Sequence, residues 1–199
     1  MKRLLAGSLI YGRGNVVNKL VTLLLLPIFT AYLTPKDYGV VSMLTVVGGF
    51  ITPIFALGLG SSIGILYFNT RESHERQSII WSAAAVLLAS AVVMALTGWM
   101  LGQPLSRFLL SDENYAVHTM IAMATAAVSI VGIPWQLRLQ FEERPRAFII
   151  VSILGLVAST AASLWFVVRL DQGAMGVLAG GFVGQIVGTI LLLLVAADK

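Results

Sequence analysis

The chain has 199 residues, of which 58% are hydrophobic and only 11% charged, against roughly 45–50% and about 25% in soluble domains, so it reads as an integral membrane protein. It has no cysteine, which excludes disulfides, thiolate metal sites and cysteine nucleophiles. Its net charge of +4 is scattered singly and in pairs through short loops, a pattern of membrane topology that excludes a nucleic-acid patch.

Cutting the chain into spans of about 20 apolar residues wherever charge, Pro and Gly cluster predicts an all-α polytopic membrane protein. Six transmembrane helices follow, at about 4–33, 40–68, 78–101, 115–137, 147–168 and 174–196, within a single unit over residues 1–199. The apolar run after Met1-Lys2-Arg3 exceeds a signal-peptide core of about 7–15 residues and lacks an A-x-A-like cleavage site. It is therefore read as a retained helix.

The first span carries charge where hydrocarbon is expected, at Arg13 and Lys19. At about 100° per residue, Ser8, Tyr11, Asn15, Asn18, Lys19 and Thr22 share an arc of about 100°. Amides and an ammonium would be unsatisfied against lipid tails, so this stripe is expected to face a bundle interior or a watery cavity. The asparagines could equally bond a neighbouring helix, at about 0.6–2 kcal/mol each. No Asp or Glu lies inside any predicted span, so the Lys19 ammonium is expected to face water or an anionic ligand. Arg13 points about 160° from the stripe centre. It either snorkels to the headgroups or is swung inward by a bend at Gly12 and Gly14. Pro27 lacks a backbone donor and is expected to kink the outer end of this span. Thr34-Pro35-Lys36-Asp37-Tyr38-Gly39 is read as the turn that closes it.

The second span carries Pro53, a second expected kink, followed by small residues Gly58, Gly60, Ser61, Ser62 and Gly64 that permit close packing. The third is Ala- and Leu-rich scaffold, and Gly102 to Asn114 is read as a loop. The fourth contributes Thr119, Thr125, Ser129 and Gln136, with Trp135 at the level of an interfacial aromatic belt. His118, at its outer end, is read as interfacial. The sixth has Gly176, Gly180, Gly184 and Gly188 in G-x-x-x-G spacing on one face, a groove for another backbone. That backbone could be the fourth or fifth span or a second chain.

Alternate loops must lie on opposite sides. Lys2, Arg3, Arg71, Arg76, Arg138, Arg144, Arg146 and Lys199 fall on one side, against Lys36, Arg107 and Arg169 on the other. The bias places both termini in the cytoplasm. There is no GxxxxGK[ST], GxSxG or HExxH motif, so nothing supports ATP hydrolysis, acyl transfer or metal hydrolysis. His74 and His118 are too far apart for a local metal cluster. No cofactor, metal or enzymatic role is expected.

These residues carry a resemblance. The polar early part of the first span with Lys19, the LLLLPIFTAYLTPKDYG join, and the LGLGSS and Tyr67-Phe68 end of the second span resemble the polysaccharide transporter family of Wzx-type lipid-linked oligosaccharide flippases. That family belongs to the multidrug/oligosaccharidyl-lipid/polysaccharide exporter superfamily. The Gly173–Gly180 segment is similar but less specific. The resemblance implies two six-helix lobes around a central cavity that alternates between inward-open and outward-open states. It implies a substrate of undecaprenyl-pyrophosphate-linked sugar, flipped across a bacterial inner membrane, and cavity-facing cations at Lys19 and Arg13. A pyrophosphate crossing hydrocarbon needs a fixed cation and amide donors in place of its hydration. Family members have about twice as many spans, so the chain corresponds to one lobe. The opposite wall would come from a missing C-terminal lobe or a second half-transporter, identical or not. The alternatives are a multidrug-type exporter, which would need an acidic site, a glycan polymerase, which would need a large outer loop, and a structural subunit assembling through the glycines of the sixth span.

Overall fold

The computed structural model describes residues 23, 25–70, 72–142 and 144–197. Among these residues every regular element is helical. Helix α1 covers 25–32. It is followed by α2 (Pro35–Phe55), α3 (Leu59–Asn69), α4 (Ser73–Leu110), a 3-10 turn (Glu113–Tyr115), α5 (Ala116–Phe141), α6 (Pro145–Leu164), which runs into a π-helical turn (Trp165–Arg169), and α7 (Gly173–Ala197). Five helices are long and apolar enough to cross a membrane, Pro35–Phe55, His74–Leu110, Glu113–Phe141, Pro145–Arg169 and Gly173–Ala196. The chain is an all-α polytopic membrane protein. The expected first span lies mostly outside the described residues, and Pro27, where its kink was expected, is in α1.

Three boundaries differ from the sequence reading. The expected turn at Thr34 to Gly39 is instead the start of α2. Thr34 is the N-cap, its hydroxyl oxygen accepts from the Asp37 backbone N–H at 3.2 Å, and the Thr34 N–H donates to Asp37 Oδ2 at 2.9 Å. This reciprocal capping box, with Pro35 at the first helical position where no N–H is needed, satisfies donors that a helix start leaves orphaned. The predicted second span is two helices. Pro53 lies within α2, and the chain breaks after it at Leu57 and Gly58, both left-handed at φ 55° and 62°. The proline removes one carbonyl's partner, and the Phe55 carbonyl exposed by the break accepts from the Ser90 hydroxyl of α4. Third, the segment read as a loop from Gly102 continues α4 through Pro104 to Leu110. Leu105 packs on the α4/α5 core, Leu109 and Leu110 pack against α2 and α7, and Ser106 is fully buried. That packing outweighs the proline. At 38 residues the helix is about 57 Å long, well beyond a hydrocarbon core of about 30 Å.

The core follows helical spacing on α4. Leu87, Ala91 and Met94 are buried against Met123, Ala126, Ala127 and Ile130 of α5, while Val92, Val93, Leu96, Trp99 and Met100 point outward, exposed. An apolar outer face of this extent is what a lipid-facing helix presents. A second cluster at the other end joins Ile63, Ile80, Ala83, Trp135 and Ala196.

Two contacts fix α7. Asp37 Oδ1 accepts from the Ala174 N–H at 3.1 Å, so one carboxylate caps the N-termini of both α2 and α7. Gly173 serves this contact, since it is left-handed at φ 52° and a Cβ there would sit 2.9 Å from Asp37 Oδ1. Along its length, the Gly176, Gly180 and Gly184 face of α7 lies against α6 and its π-helical turn. A Cβ at Gly180 would come within 2.5 Å of Ser163 Cα, and one at Gly184 within 2.7 Å of Ser159 Cα. Gly188 sits opposite Gly155, where an added Cβ would lie 4.0 Å from the Gly155 Cα. The groove is thus filled by the preceding helix of the same chain, whose Gly155, Ser159 and Ser163 mirror the small residues of α7.

Two outcomes are expected. Asp37→Ala removes caps from two helices and should cost about 2 kcal/mol, read as a lowered denaturation midpoint of the purified protein, with Thr34→Ala costing roughly half as much. Gly180→Leu has no room against the α6 backbone and should cost well over about 3 kcal/mol, read as loss of monodisperse protein on size exclusion, whereas Gly181→Leu, which faces open space, should be tolerated.

Candidate functional site

The helices enclose a cavity of about 510 Å³. Its walls are Leu25, Leu26 and Phe29 of α1, Tyr38, Val41, Leu44, Thr45, Gly48 and Thr52 of α2, Ala122, Thr125, Ala126 and Ser129 of α5, Leu156, Ser159, Thr160 and Ser163 of α6, and Val177, Leu178 and Gly181 of α7. A second space of about 350 Å³ shares Leu156, Ser159 and Gly181 with it and adds Gln136, Ser152 and Gln185, with Gly184 and Gly188. Together they form one recess between α5, α6 and α7 that extends to α1 and α2.

The recess is largely apolar, and its polar groups are uncharged. Among the described residues, no Asp, Glu, Lys or Arg lines either space. Four of its hydroxyls bond back to the preceding helical turn: Thr45 donates to the Val41 carbonyl at 2.7 Å, Thr52 to Gly48 at 2.7 Å, Thr125 to Ile121 at 2.8 Å, and Ser129 to Ala126 at 2.7 Å, while Ser163 reaches the Val177 carbonyl of α7 at 3.5 Å. Each of those four protons is spent inside its own helix, which leaves the oxygen lone pairs as acceptors toward the cavity. Gln136 and Gln185 add amides that both donate and accept. Gln185 Nε2 reaches Thr189 Oγ1 at 3.5 Å, and Thr189 in turn reaches the Val128 carbonyl at 3.4 Å. Such a surface, apolar with scattered acceptors and amides, suits a ligand that combines hydroxyl donors with apolar faces.

Toward the α2 N-terminus the recess ends at Tyr38, whose hydroxyl is buried and unpartnered among the described residues, as is Nδ1 of His118. Next to them Lys36 pairs with Asp112 at 3.6 Å and lies 5.2 Å from the Tyr115 ring centroid, and Arg107 pairs with Glu113. These groups close one end of the bundle. No group of three or more His, Asp or Glu placed to hold a metal occurs among the described residues.

The residues expected to grip a ligand, Tyr11, Arg13, Asn15, Asn18, Lys19 and Thr22, lie outside the described residues. Pro53 faces away from the recess and is exposed, one residue beyond Thr52, which lines it. Of the glycines in the sixth span, Gly184 and Gly188 border the second space as well as packing on α6. Of the polar features read on the fourth span, Thr125, Ser129 and Gln136 face the recess, and Thr119 is buried with its hydroxyl donating to Tyr115. Thr45, Ser152, Ser159, Thr160, Ser163 and Gln185 were not singled out from the sequence. Their signal was available on the fifth span, where Ser152, Gly155, Ser159 and Ser163 recur every three or four residues, the same spacing as the glycines of the sixth.

A family model described as polysaccharide biosynthesis protein matches residues 4–199. No curated protein and no solved structure matches the chain.

The absence of cysteine allows the recess to be mapped directly. Thr45→Cys and Gly181→Cys should react with a water-soluble maleimide in membranes, whereas Val92→Cys on the outer face of α4 should not, because a thiol in hydrocarbon does not ionise. Labelling of Thr45→Cys and Gly181→Cys no faster than the slow background at Val92→Cys would show that the recess is not a water-filled space.

Proposed function

The chain belongs to the polysaccharide biosynthesis protein family, and from that premise we propose that it is one lobe of a flippase for lipid-linked oligosaccharide, carried across a bacterial inner membrane by alternating access. The observation that carries the reading is the uncharged, hydroxyl- and amide-lined recess inside a multi-pass helical bundle. Sugars present hydroxyl donors and apolar C–H faces, which is the chemistry that the recess complements.

In this reading the charge comes from helix 1. The stripe at 15, 18, 19 and 22 continues, at helical spacing, to 26 and 29, and Leu26 and Phe29 line the recess. Lys19 then lies one to two turns further along the same wall, with Asn15, Asn18 and Tyr11 beside it. Its ammonium grips the pyrophosphate oxygens as a point charge, while the glycan occupies the recess. Arg13 lies off this stripe and acts either at the headgroups or, through a bend at its flanking glycines, beside Lys19. A second six-helix lobe, from a longer chain or another subunit, supplies the opposite wall.

The orientation has both termini in the cytoplasm. Among the described residues Arg76, Arg138, Arg144 and Arg146 sit at one end of the bundle and Lys36, Arg107 and Arg169 at the other, and the loop order of the sequence adds Lys2, Arg3, Arg71 and Lys199 to the first set. This is the asymmetry that retains cationic loops in the cytoplasm. A multidrug-type exporter of cations is disfavoured, because no carboxylate lines the recess among the described residues.

In cells that depend on the complete protein, Lys19→Ala should abolish surface polysaccharide at unchanged membrane levels, and Lys19→Arg should retain it. Undiminished polysaccharide with Lys19→Ala would overturn the role of the cation.

A further inference from the structure

At the end of the bundle away from Asp37, the C-terminus of α3, the first turns of α4 and the last turn of α5 form a third cleft of about 390 Å³. It lies apart from the recess and shares no wall with it. We propose that this cleft binds the phosphate of an anionic lipid headgroup.

Two guanidinium groups line it, both held through Nε. Arg76 Nε donates to the Thr70 carbonyl at 2.8 Å, with its guanidinium carbon 5.1 Å from the Tyr67 ring centroid. Arg138 Nε donates to Glu142 Oε1 at 2.8 Å. Neither spends its terminal nitrogens on a hydrogen bond among the described residues. Each is therefore an oriented fork with its outer edge unspent, the geometry that takes two phosphate oxygens at once. Among the described residues that line the cleft, two guanidinium groups face one carboxylate, Glu142, which also meets Arg144 at 3.8 Å. Arg144 also donates to the Val195 carbonyl in the last turn of α7, so the cationic group is tied to three helices. His74 lines the same wall.

Depth argues for a lipid as the source of the phosphate. Trp81 and Trp135, five residues after Arg76 and three before Arg138, stack edge to face at 5.0 Å, and Tyr67 lies in the cleft itself. Of these, Trp81 is exposed and Tyr67 half-buried, the placement of aromatics at the headgroup level, whereas Trp135, read from the sequence as interfacial, is buried in the core behind them. Leu66, Phe68 and Trp81 around the cleft are exposed and offer apolar surface to acyl chains. A basic pocket between membrane helices at this level is suited to an anionic headgroup.

The test titrates the purified full chain carrying Trp99→Phe and Trp165→Phe, in a zwitterionic detergent, with short-chain phosphatidylglycerol, phosphatidylcholine or farnesyl diphosphate, reading the fluorescence of the remaining Trp81 and Trp135 and the denaturation midpoint. Phosphatidylglycerol or farnesyl diphosphate should bind at least about tenfold tighter than phosphatidylcholine, and Arg76→Gln should weaken that binding about fivefold, with Arg76→Lys recovering part of it. Tighter binding of phosphatidylglycerol assigns the site to bilayer lipid, and tighter binding of farnesyl diphosphate assigns it to a prenyl diphosphate. Arg138→Gln strands Glu142 and is made together with Glu142→Gln, which should weaken binding similarly. Equal binding of phosphatidylcholine, or an unchanged affinity in Arg76→Gln, overturns the proposal. The measurement reads lipid binding by this chain alone, so it stands or falls separately from transport.

Discussion

Helices surrounded by hydrocarbon gain nothing from hiding apolar surface from one another, so their association rests on how closely they can pack. In this chain the closest packing is the seam between α6 and α7. Gly180 and Gly184 leave no space for a Cβ against Ser163 and Ser159, and the two backbones meet with almost nothing between them. The same small side chains leave the neighbouring volume unfilled. Ser159, Gly181, Gly184 and Gly188 border the recess, so the device that joins the two helices also creates the space beside them. A seam built from leucines would have held α6 and α7 further apart and filled that space.

The ends of the bundle are fixed by polar contacts that hydrocarbon could not tolerate at mid-depth. Asp37 accepts hydrogen bonds from Thr34 and Ala174 and thereby ties the start of α2 to the start of α7. Helix starts are the correct place for a carboxylate, since unpaired N–H groups and the positive end of the helix dipole both favour it. Lys36 and Asp112 extend the same set to the α4/α5 connection. At the opposite end Glu142 and Arg144 link α5 to α7. Among the described residues charge is thus confined to the two ends, and the apolar recess between them carries only hydroxyls and amides as polar groups.

That separation bears on the stability of the bundle when the recess is empty. An unpaired charge in the recess would be costly when the site is empty. Hydroxyls bonded to their own helical turns carry no such cost and still present acceptors. Neutral polarity along α5, α6 and α7 thus leaves no isolated charge in the recess among the described residues.

The membrane class, the helical content and the charge asymmetry of the loops were legible in the sequence, because long apolar runs broken by basic loops leave few other structures open to a backbone in lipid. The glycine spacing of α7 was legible too, although its partner was not, since a groove does not name the helix that fills it. What the linear pattern concealed were features decided by contacts distant in the chain. Thr34-Pro35-Lys36-Asp37 reads equally as a turn or as a helix start, and the structure resolves it as a capped start in which Asp37 also meets α7. Pro104 argues for a loop until Leu105, Ser106, Leu109 and Leu110 are seen buried around it. The break at Leu57 and Gly58 depends on a hydroxyl from α4 to receive the freed carbonyl. The hydroxyls and glutamines of the recess are single polar residues in apolar runs, and only packing determines which of them meet. Sequence by itself determined that this chain lives in a bilayer and where its charges are allowed, since transfer free energy acts residue by residue. Tertiary structure decided where its helices begin, break and enclose space, because those outcomes are energies of pairs that the chain brings together only on folding.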